Sequence, residues 1–192
     1  MKKYELTSET KFVFGRTVHR IRALVNFTLT TGEEIKAGEL GGWIEGENNL
    51  SQDGKAWVFG EARVFGEAQV FGEARVSGKA QVFGEARVFG KARVFDEARV
   101  SGEARVFRAD HTLIIGPVGS RVSFMTFFRT KNREIWVSCG CFLGGIDAFL
   151  QKVQETHGDN KHARVYRAAV EFAKECIDLE ADEPKTDMPN GE

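Results

Sequence analysis

The sequence has few cysteines, prolines and tyrosines, and it has no excess of charge of either sign. Two of its three cysteines lie in CGC, which is typical of a reduced cytoplasm and not of a disulfide framework. Because 27 basic residues balance 28 acidic ones, no overall field attracts the chain to nucleic acid or to a membrane. No apolar run approaches the roughly 20 residues that span a bilayer, and the start MKKYELTSETKF lacks the apolar core of a signal peptide. We therefore expect a cytoplasmic protein without membrane or nucleic-acid partners.

What the sequence does contain is a repeat of six residues from Val58 to Phe107, which supplies most of its 16 Phe and 21 Gly. In Ala62-Arg63-Val64-Phe65, alternation along a strand turns Ala and Val to one side and Arg and Phe to the other. The Gly-Glu that follows turns the chain, because Gly tolerates a positive φ. Three such hexads make one coil, and stacked coils make a solenoid.

The register of the repeat extends back to Leu40, with Leu40 and Ile44 at inward positions. This predicts about four coils, at 40–57, 58–75, 76–93 and 94–111. Asp96 and Arg108 replace the corner Gly, and Arg108 is expected to end the solenoid.

Stacking each coil on the one before it places Phe71, Phe89 and Phe107 in an unbroken outward ladder beside arginines. Contiguous apolar surface usually marks an interface, so these three residues are the predicted contact of a homo-oligomer. The alternative is that a terminal helix or the stems of neighbouring arginines cover the rings.

The segments outside the repeat predict two caps. Residues 1–39 alternate as strands and form an N-terminal β cap. Residues 112–179 predict an α+β (ββαα) module, with strands at about 121–129 and 134–141, a helix from Ile146 that stops at Gly158, and a second helix over about 160–179. On the second helix, the predicted apolar face carries Val165, Ala169, Phe172, Ala173, Cys176 and Ile177. Residues 180–192 are acidic and predict a disordered tail.

Several stretches carry a resemblance that covers nearly the whole chain: IKAGELGGWIEGENNLSQDGKAWVFGEA, IGPVGSR, TFFRT, VSCGCF and ETHGDNKHA. The chain resembles uncharacterised hexapeptide-repeat proteins of bacteria, phages and prophages. That resemblance implies a mainly β fold, a short left-handed parallel β-helix of triangular section, a trimer, and a setting in the host bacterial cytoplasm. It implies no catalytic function. Many hexapeptide-repeat proteins are acyltransferases, but this solenoid has no ejected loop and no His before His111, which disfavours that activity.

The turn GPVGSR offers the first candidate site. Gly119, Ser120 and Arg121 combine free backbone N–H groups with a guanidinium, which suits a phosphate or carboxylate. The alternative is a plain turn in which Arg121 pairs with an acid.

The strand after this turn has two faces of different chemistry. Arg121, Ser123, Met125, Phe127 and Arg129 share one face, and Phe124, Thr126 and Phe128 share the other. One face is expected to pack on the helices. If the face with Arg121, Phe127 and Arg129 is the open one, it suits a nucleotide-like anion; if the other is open, it presents Thr126 between two rings.

The pair Cys139 and Cys141 with His157 is the remaining candidate. It is compatible with a zinc site that lacks a fourth ligand, or with a thiol nucleophile and its base. The simpler interpretations are thiols buried in the core and a histidine that caps the end of a helix.

The favoured function is a non-enzymatic, oligomeric binding protein without a cofactor. Its C-terminal module would bind a small anionic, nucleotide-like ligand or a host protein, and would inhibit host defence against phage. The alternatives are a cysteine-dependent enzyme using Cys139 or Cys141 with His157, and a purely structural trimerising module.

Overall fold

The computed structural model describes residues 1–184, and the part of the predicted tail at 185–192 lies outside them. The N-terminal strands are β1 Tyr4–Val13, β2 Arg16–Ala23, β3 Phe27–Thr28, β4 Glu34–Ile35 and β5 Leu40–Ile44. The solenoid strands are β6 Trp57–Val58, β7 Arg63–Val64, β8 Gln69–Val70, β9 Arg75–Val76, β10 Gln81–Val82, β11 Arg87–Val88, β12 Arg93–Val94, β13 Arg99–Val100 and β14 Arg105–Val106. The C-terminal elements are β15 Thr112–Val118, β16 Ser123–Arg129, β17 Ile135–Cys139, β18 Phe142–Gly145, α1 Ile146–His157 and α2 Lys161–Cys176.

The hexads form a β-solenoid of about four turns, as the sequence predicts. Its strands pair in parallel with a constant advance of three hexads, so that Val58 lies beside Val76 and Val64 beside Val82. The Ala and Val side chains of the repeat fill the interior, where they are fully or almost fully buried. Asp96 takes the corner position with φ +55, as predicted from its replacement of Gly.

The N-terminal strands extend one side of the solenoid. β1 and β2 form an antiparallel hairpin, β2 pairs with β5, and β5 then pairs in parallel with β7. Ile44 is buried as predicted, but Leu40 is 49 % exposed and its predicted inward position is wrong. The reason is that Leu40 lies opposite Arg22 in the antiparallel pairing, before the parallel register begins at Trp43.

Lys3 and Tyr4 close the N-terminal end of the solenoid. Lys3 is 5 % exposed, and its Nζ donates to the carbonyls of Asp53 at 3.3 Å and Ala56 at 3.0 Å. Tyr4 Oη donates to the Leu50 carbonyl at 2.6 Å. These bonds satisfy backbone carbonyls that have no further coil to pair with.

The C-terminal module is a four-stranded antiparallel sheet, β15-β16-β17-β18, followed by two helices. The sequence predicted two strands; β15 and β18 are added because the chain leaves the last coil directly into a strand and turns back after β17 at Gly140 and Cys141. Helix α1 ends before Gly158 as predicted. Helix α2 ends at Cys176 and not near 179, and Phe172 on its predicted apolar face is 56 % exposed. Tyr166 and Val170 are buried in its place.

Both faces of this sheet are covered, which the sequence did not predict. Phe128 belongs to the solenoid core, so one face closes the last coil. Met125 and Phe127 pack with Val153 and Tyr166 of the helices on the other face. The module is therefore a layer of strands between the solenoid end and the helix pair.

The ladder of Phe71, Phe89 and Phe107 is covered within the chain. The three rings are only 2–4 % exposed, and neighbouring centroids lie 4.8 and 5.3 Å apart. Ala181 packs on them, and the guanidinium of Arg129 lies 5.0 Å from the Phe107 ring. Within residues 1–184, a C-terminal segment and the side chain of Arg129 cover the rings, so they are not exposed as the sequence suggested. The homo-oligomer itself stays a prediction.

No helix within residues 1–184 has both the length and the apolar character needed to cross a membrane.

Candidate functional site

A cleft of about 250 Å³ opens between the turn before β16, the β17–β18 turn and the two helices. The residues that line it combine apolar walls with hydroxyls, thiols and cations: Val118, Ser120, Arg121, Ser123, Cys139, Gly140, Cys141, Phe142, Phe149, Lys152, Val153, Thr156, His157 and Tyr166. No member of this lining is an Asp or a Glu. The volume of the cleft falls just below the range of about 300–1,000 Å³ typical of small-molecule pockets.

The cleft brings together predicted residues from three separate sequence segments. Ser120 and Arg121 come from the turn, Cys139 and Cys141 from the end of β17 and the turn after it, and His157 from the last residue of α1. Gly119 is adjacent to them and touches Tyr166. The antiparallel pairing of Met125 with Cys139 sets the β17–β18 turn near the start of β16.

Three other predicted residues do not line this cleft. Thr126 is 1 % exposed, and its Oγ1 accepts a hydrogen bond from the Arg99 backbone N–H at 3.0 Å. Phe127 is fully buried in the helix-facing core. Arg129 is 1 % exposed and lies over Phe107 at the far end of the strand. All three lie outside the cleft because the sheet is buried on both faces.

Tyr166 ties the turn to helix α2. Its Oη accepts a hydrogen bond from the Ser120 backbone N–H at 3.2 Å. Gly119, with φ +76, lies so close to that hydroxyl that a Cβ atom there would overlap it. The turn that carries Arg121 is thereby held against the helix pair.

The charged groups of the cleft are cationic. Arg121 is exposed, and within residues 1–184 the structure gives its guanidinium no hydrogen bond and no ion pair. Lys152 lines the opposite wall and pairs with Glu155 at 3.3 Å, a residue that does not line the cleft. The alternative in which Arg121 pairs with an acid is therefore not what this part of the chain shows. A cation at the mouth of an apolar cleft without carboxylates favours an anionic group.

The Cys139 thiol does not have the environment of a catalytic nucleophile. Burial raises the pKa of the Cys139 thiol, and the positive charge of Arg121 opposes that shift. Because the thiolate is the reactive form, a raised pKa works against the cysteine-dependent enzyme. Cys141 is exposed at the rim. The His157 ring packs beside Tyr166, with centroids 5.6 Å apart.

Metal binding finds no support among the described residues either. Within residues 1–184, no group of three or more His, Cys, Asp or Glu side chains could hold a metal ion. Cys139, Cys141 and His157 thus share a cleft without forming a metal centre.

Two parts of the cleft wall were not predicted from the sequence: one face of α1, and Tyr166 of α2. Phe149, Lys152, Val153 and Thr156 share one face of α1 with His157, at spacings of three and four residues, and that periodicity could have identified them. Tyr166 gave no local signal, because its partner Ser120 is 46 residues away.

The chain matches no protein-family model, and no curated protein matches it.

Proposed function

We propose that this protein binds a small anionic molecule that also carries an apolar or aromatic part, and that it binds this molecule without converting it. The observation that carries the proposal is Arg121, a cation without an acidic partner in residues 1–184, at the mouth of an apolar cleft whose lining contains no carboxylate. An incoming phosphate or carboxylate supplies the missing partner in a charge-assisted hydrogen bond.

The walls define the rest of the ligand. Phe142 and Phe149 lie with ring centroids 5.2 Å apart, and the Phe149 and Tyr166 rings meet edge to face at 5.7 Å. Such walls suit a planar ring, while Ser120 and Ser123 supply hydroxyls for polar edges. A volume of about 250 Å³ holds one ring with one anionic group, or one end of a larger nucleotide.

Capture without turnover is the chemistry that the lining favours. Burial raises the pKa of the Cys139 thiol and so disfavours the thiolate, the form that a nucleophile needs. Binding alone would sequester the ligand. Together with the resemblance to phage hexapeptide-repeat proteins, this supports removal of a nucleotide-like signal on which host defence depends.

Native mass spectrometry tests the binding. The full-length protein would be incubated with a nucleotide-rich extract of bacterial small molecules, desalted and weighed without denaturation. We expect an added mass of a few hundred daltons or less, and recovery of the ligand in unchanged form. Arg121→Gln is expected to lower its affinity about 10- to 100-fold, because a hydrogen bond to a charged group contributes about 1.5–3 kcal/mol.

Arg93→Gln is the matched control. Arg93 is also exposed but lies on the solenoid, away from the cleft, so its substitution should leave the adduct unchanged. An equal adduct with Arg121→Gln would place the ligand elsewhere. A wild-type protein that carries no adduct would contradict the small-ligand proposal and favour a host protein as the partner. A ligand recovered in altered form would favour the enzyme.

A further inference from the structure

A second candidate surface lies at the other end of β16 from the cleft, where the segment 178–184 packs on the Phe71–Phe89–Phe107 ladder. We call these residues the acidic strap, since Asp178, Glu180, Asp182 and Glu183 make up more than half of it. The groove beneath it holds the three rings and the side chains of Arg108, Arg129 and Arg133.

Two ion pairs help to hold the strap, together with partly buried Leu179 and arginine hydrogen bonds to its backbone carbonyls. Arg108 Nη1 lies 3.1 Å from Asp178 Oδ2, and Arg133 Nη2 lies 2.6 Å from Asp182 Oδ1. The Asp182 side chain is 90 % exposed. Exposed pairs of this kind contribute little to stability and are screened by salt.

The apolar contact of the strap with the three rings is small. Ala181 is the residue of the strap that packs on the three rings, and it presents a single methyl group. In cores and interfaces, aromatic rings usually pack against much more apolar surface than one methyl group provides. The rings are covered, but a cavity of about 470 Å³ lies beside Phe107, Arg108 and Ala181, so the strap leaves free space next to them.

Arg129 shows most directly that the strap is an imperfect occupant. This side chain is 1 % exposed, and its Nη2 donates to the Ala181 carbonyl at 3.1 Å. Its Nε and Nη1 have no acceptor in residues 1–184. A buried guanidinium with unused donors is costly, and a carboxylate would accept two parallel hydrogen bonds from it. The carboxylates of Glu183, Asp178 and Asp182 attract Arg129 from a distance, but the hydrogen bond that the strap gives it is to the Ala181 carbonyl. A carboxylate at the position of Ala181 would accept from its unused donors.

We propose that this groove binds an acidic, extended polypeptide segment of a partner protein, with a carboxylate at the position of Ala181. The strap covers the groove in the free protein and competes with the partner segment for it. The proposal is independent of the cleft and of its ligand. Arginine and aromatic rings also attract single-stranded nucleic acid. A polypeptide is favoured because Arg129 and Arg133 donate to the backbone carbonyls of Ala181 and Glu180.

The first experiment changes the occupant in the full-length protein. Ala181→Glu supplies the missing carboxylate, and Ala181→Gln is its matched neutral control. We expect Ala181→Glu to slow amide hydrogen exchange across residues 180–183 about tenfold relative to Ala181→Gln, since hydrogen bonds to charged groups are about twice as strong as neutral ones. Equal exchange in the two variants would overturn the role assigned to Arg129.

The second experiment supplies the segment from outside. Full-length protein carrying Asp178→Asn and Asp182→Asn loses both strap ion pairs and keeps its core. A labelled peptide of residues 178–184 with Glu in place of Ala181 would be titrated by fluorescence anisotropy against the same peptide with Gln there. We expect the Glu peptide to bind at least tenfold more tightly than the Gln peptide, and wild-type protein to bind it more weakly than the double variant.

Each other outcome overturns part of the proposal. Equal binding of the two peptides, or none, removes the acidic-segment site. Tighter binding of an oligothymidine points to nucleic acid, and concentration-dependent dimers of the double variant would mean that a second copy supplies its own strap. Equal affinity of wild type and double variant for the Glu peptide would show that the strap does not compete.

Discussion

The hydroxyl of Tyr166 occupies the space that a side chain at Gly119 would need. The same hydroxyl accepts a hydrogen bond from the Ser120 backbone N–H, so one contact fixes both the conformation of the turn and its distance from α2. The position of Arg121 at the cleft mouth depends on this contact.

Gly119→Ala should lower stability by about 2–4 kcal/mol, because overpacking a filled site costs about 1–3 kcal/mol and a left-handed φ adds about 1. It should also weaken capture of the cleft ligand. Gly15→Ala is the control, since Gly15 has a similar φ of +80 but open space around it. Denaturant unfolding of both variants measures the difference, and equal losses would contradict the overlap with Tyr166.

The buried Lys3 predicts a stability that rises at alkaline pH. Burial lowers the pKa of Lys3 from 10.5 to about 8, with Asp53 opposing that shift. The unfolded chain thus binds a proton that the folded chain releases between pH 8 and 10.5, so the free energy of unfolding increases with pH across that window. From pH 8 to 9.5 the gain is about 2 kcal/mol, at 1.36 kcal/mol per pH unit.

Chemical denaturation of wild type and Lys3→Met at several pH values isolates this contribution, because Met does not titrate. The difference in unfolding free energy between the two proteins should grow from pH 8 to 9.5. Lys2→Met, at an exposed position paired with Glu47, should leave the slope unchanged. A pH-independent difference for Lys3→Met would refute the lowered pKa.

The covered aromatic ladder predicts that Phe89 supports folding and not assembly. Phe89→Ala should lower the free energy of unfolding by about 3–5 kcal/mol, the usual cost of removing a buried Phe. Phe95→Ala, at the equivalent repeat position but 47 % exposed, should cost much less. A fall in oligomer mass with little loss of stability would instead restore the ladder as an interface.

Asp96 predicts that one corner of the solenoid tolerates Gly but not Ala. Its φ of +55 is costly for residues with a Cβ and least so for Gly, Asn and Asp. Asp96→Ala should lower stability by about 1 kcal/mol, and Asp96→Gly should stay within about 0.5 kcal/mol of wild type. Glu97→Ala, one residue along the same corner, should also stay within about 0.5 kcal/mol of wild type. A larger loss of stability for Glu97→Ala than for Asp96→Ala would contradict the role given to the φ of Asp96.

The solenoid could be predicted because its information is local and repeated. Each hexad carries the same inward-pointing Ala and Val, so the pattern can be read from any one of them. The register between stacked strands follows from three hexads in a coil. Leu40 was misplaced because it lies just outside the repeat, where pairing with Arg22 replaces the parallel register.

The candidate site could be predicted only in part. Arg121, Cys139 and His157 were identified by residue type, and the fold brings them together. Thr126 and Arg129 were assigned to the site because alternation gives a strand two faces but does not say what covers each. Here the last coil covers one face and the helices the other, and that arrangement depends on contacts between distant parts of the chain.

The constant register of three hexads per coil also governs how this chain can change length. Inserting three hexads would move the two ends apart by about 4.8 Å, the spacing between neighbouring strands, and would keep the C-terminal module on the same side of the N-terminal hairpin. Inserting a single hexad would carry the module about a third of a turn around the axis. Repeat number therefore sets the relative orientation of the cleft and the hairpin. Variants of this chain that gain or lose whole coils of three hexads would keep that orientation.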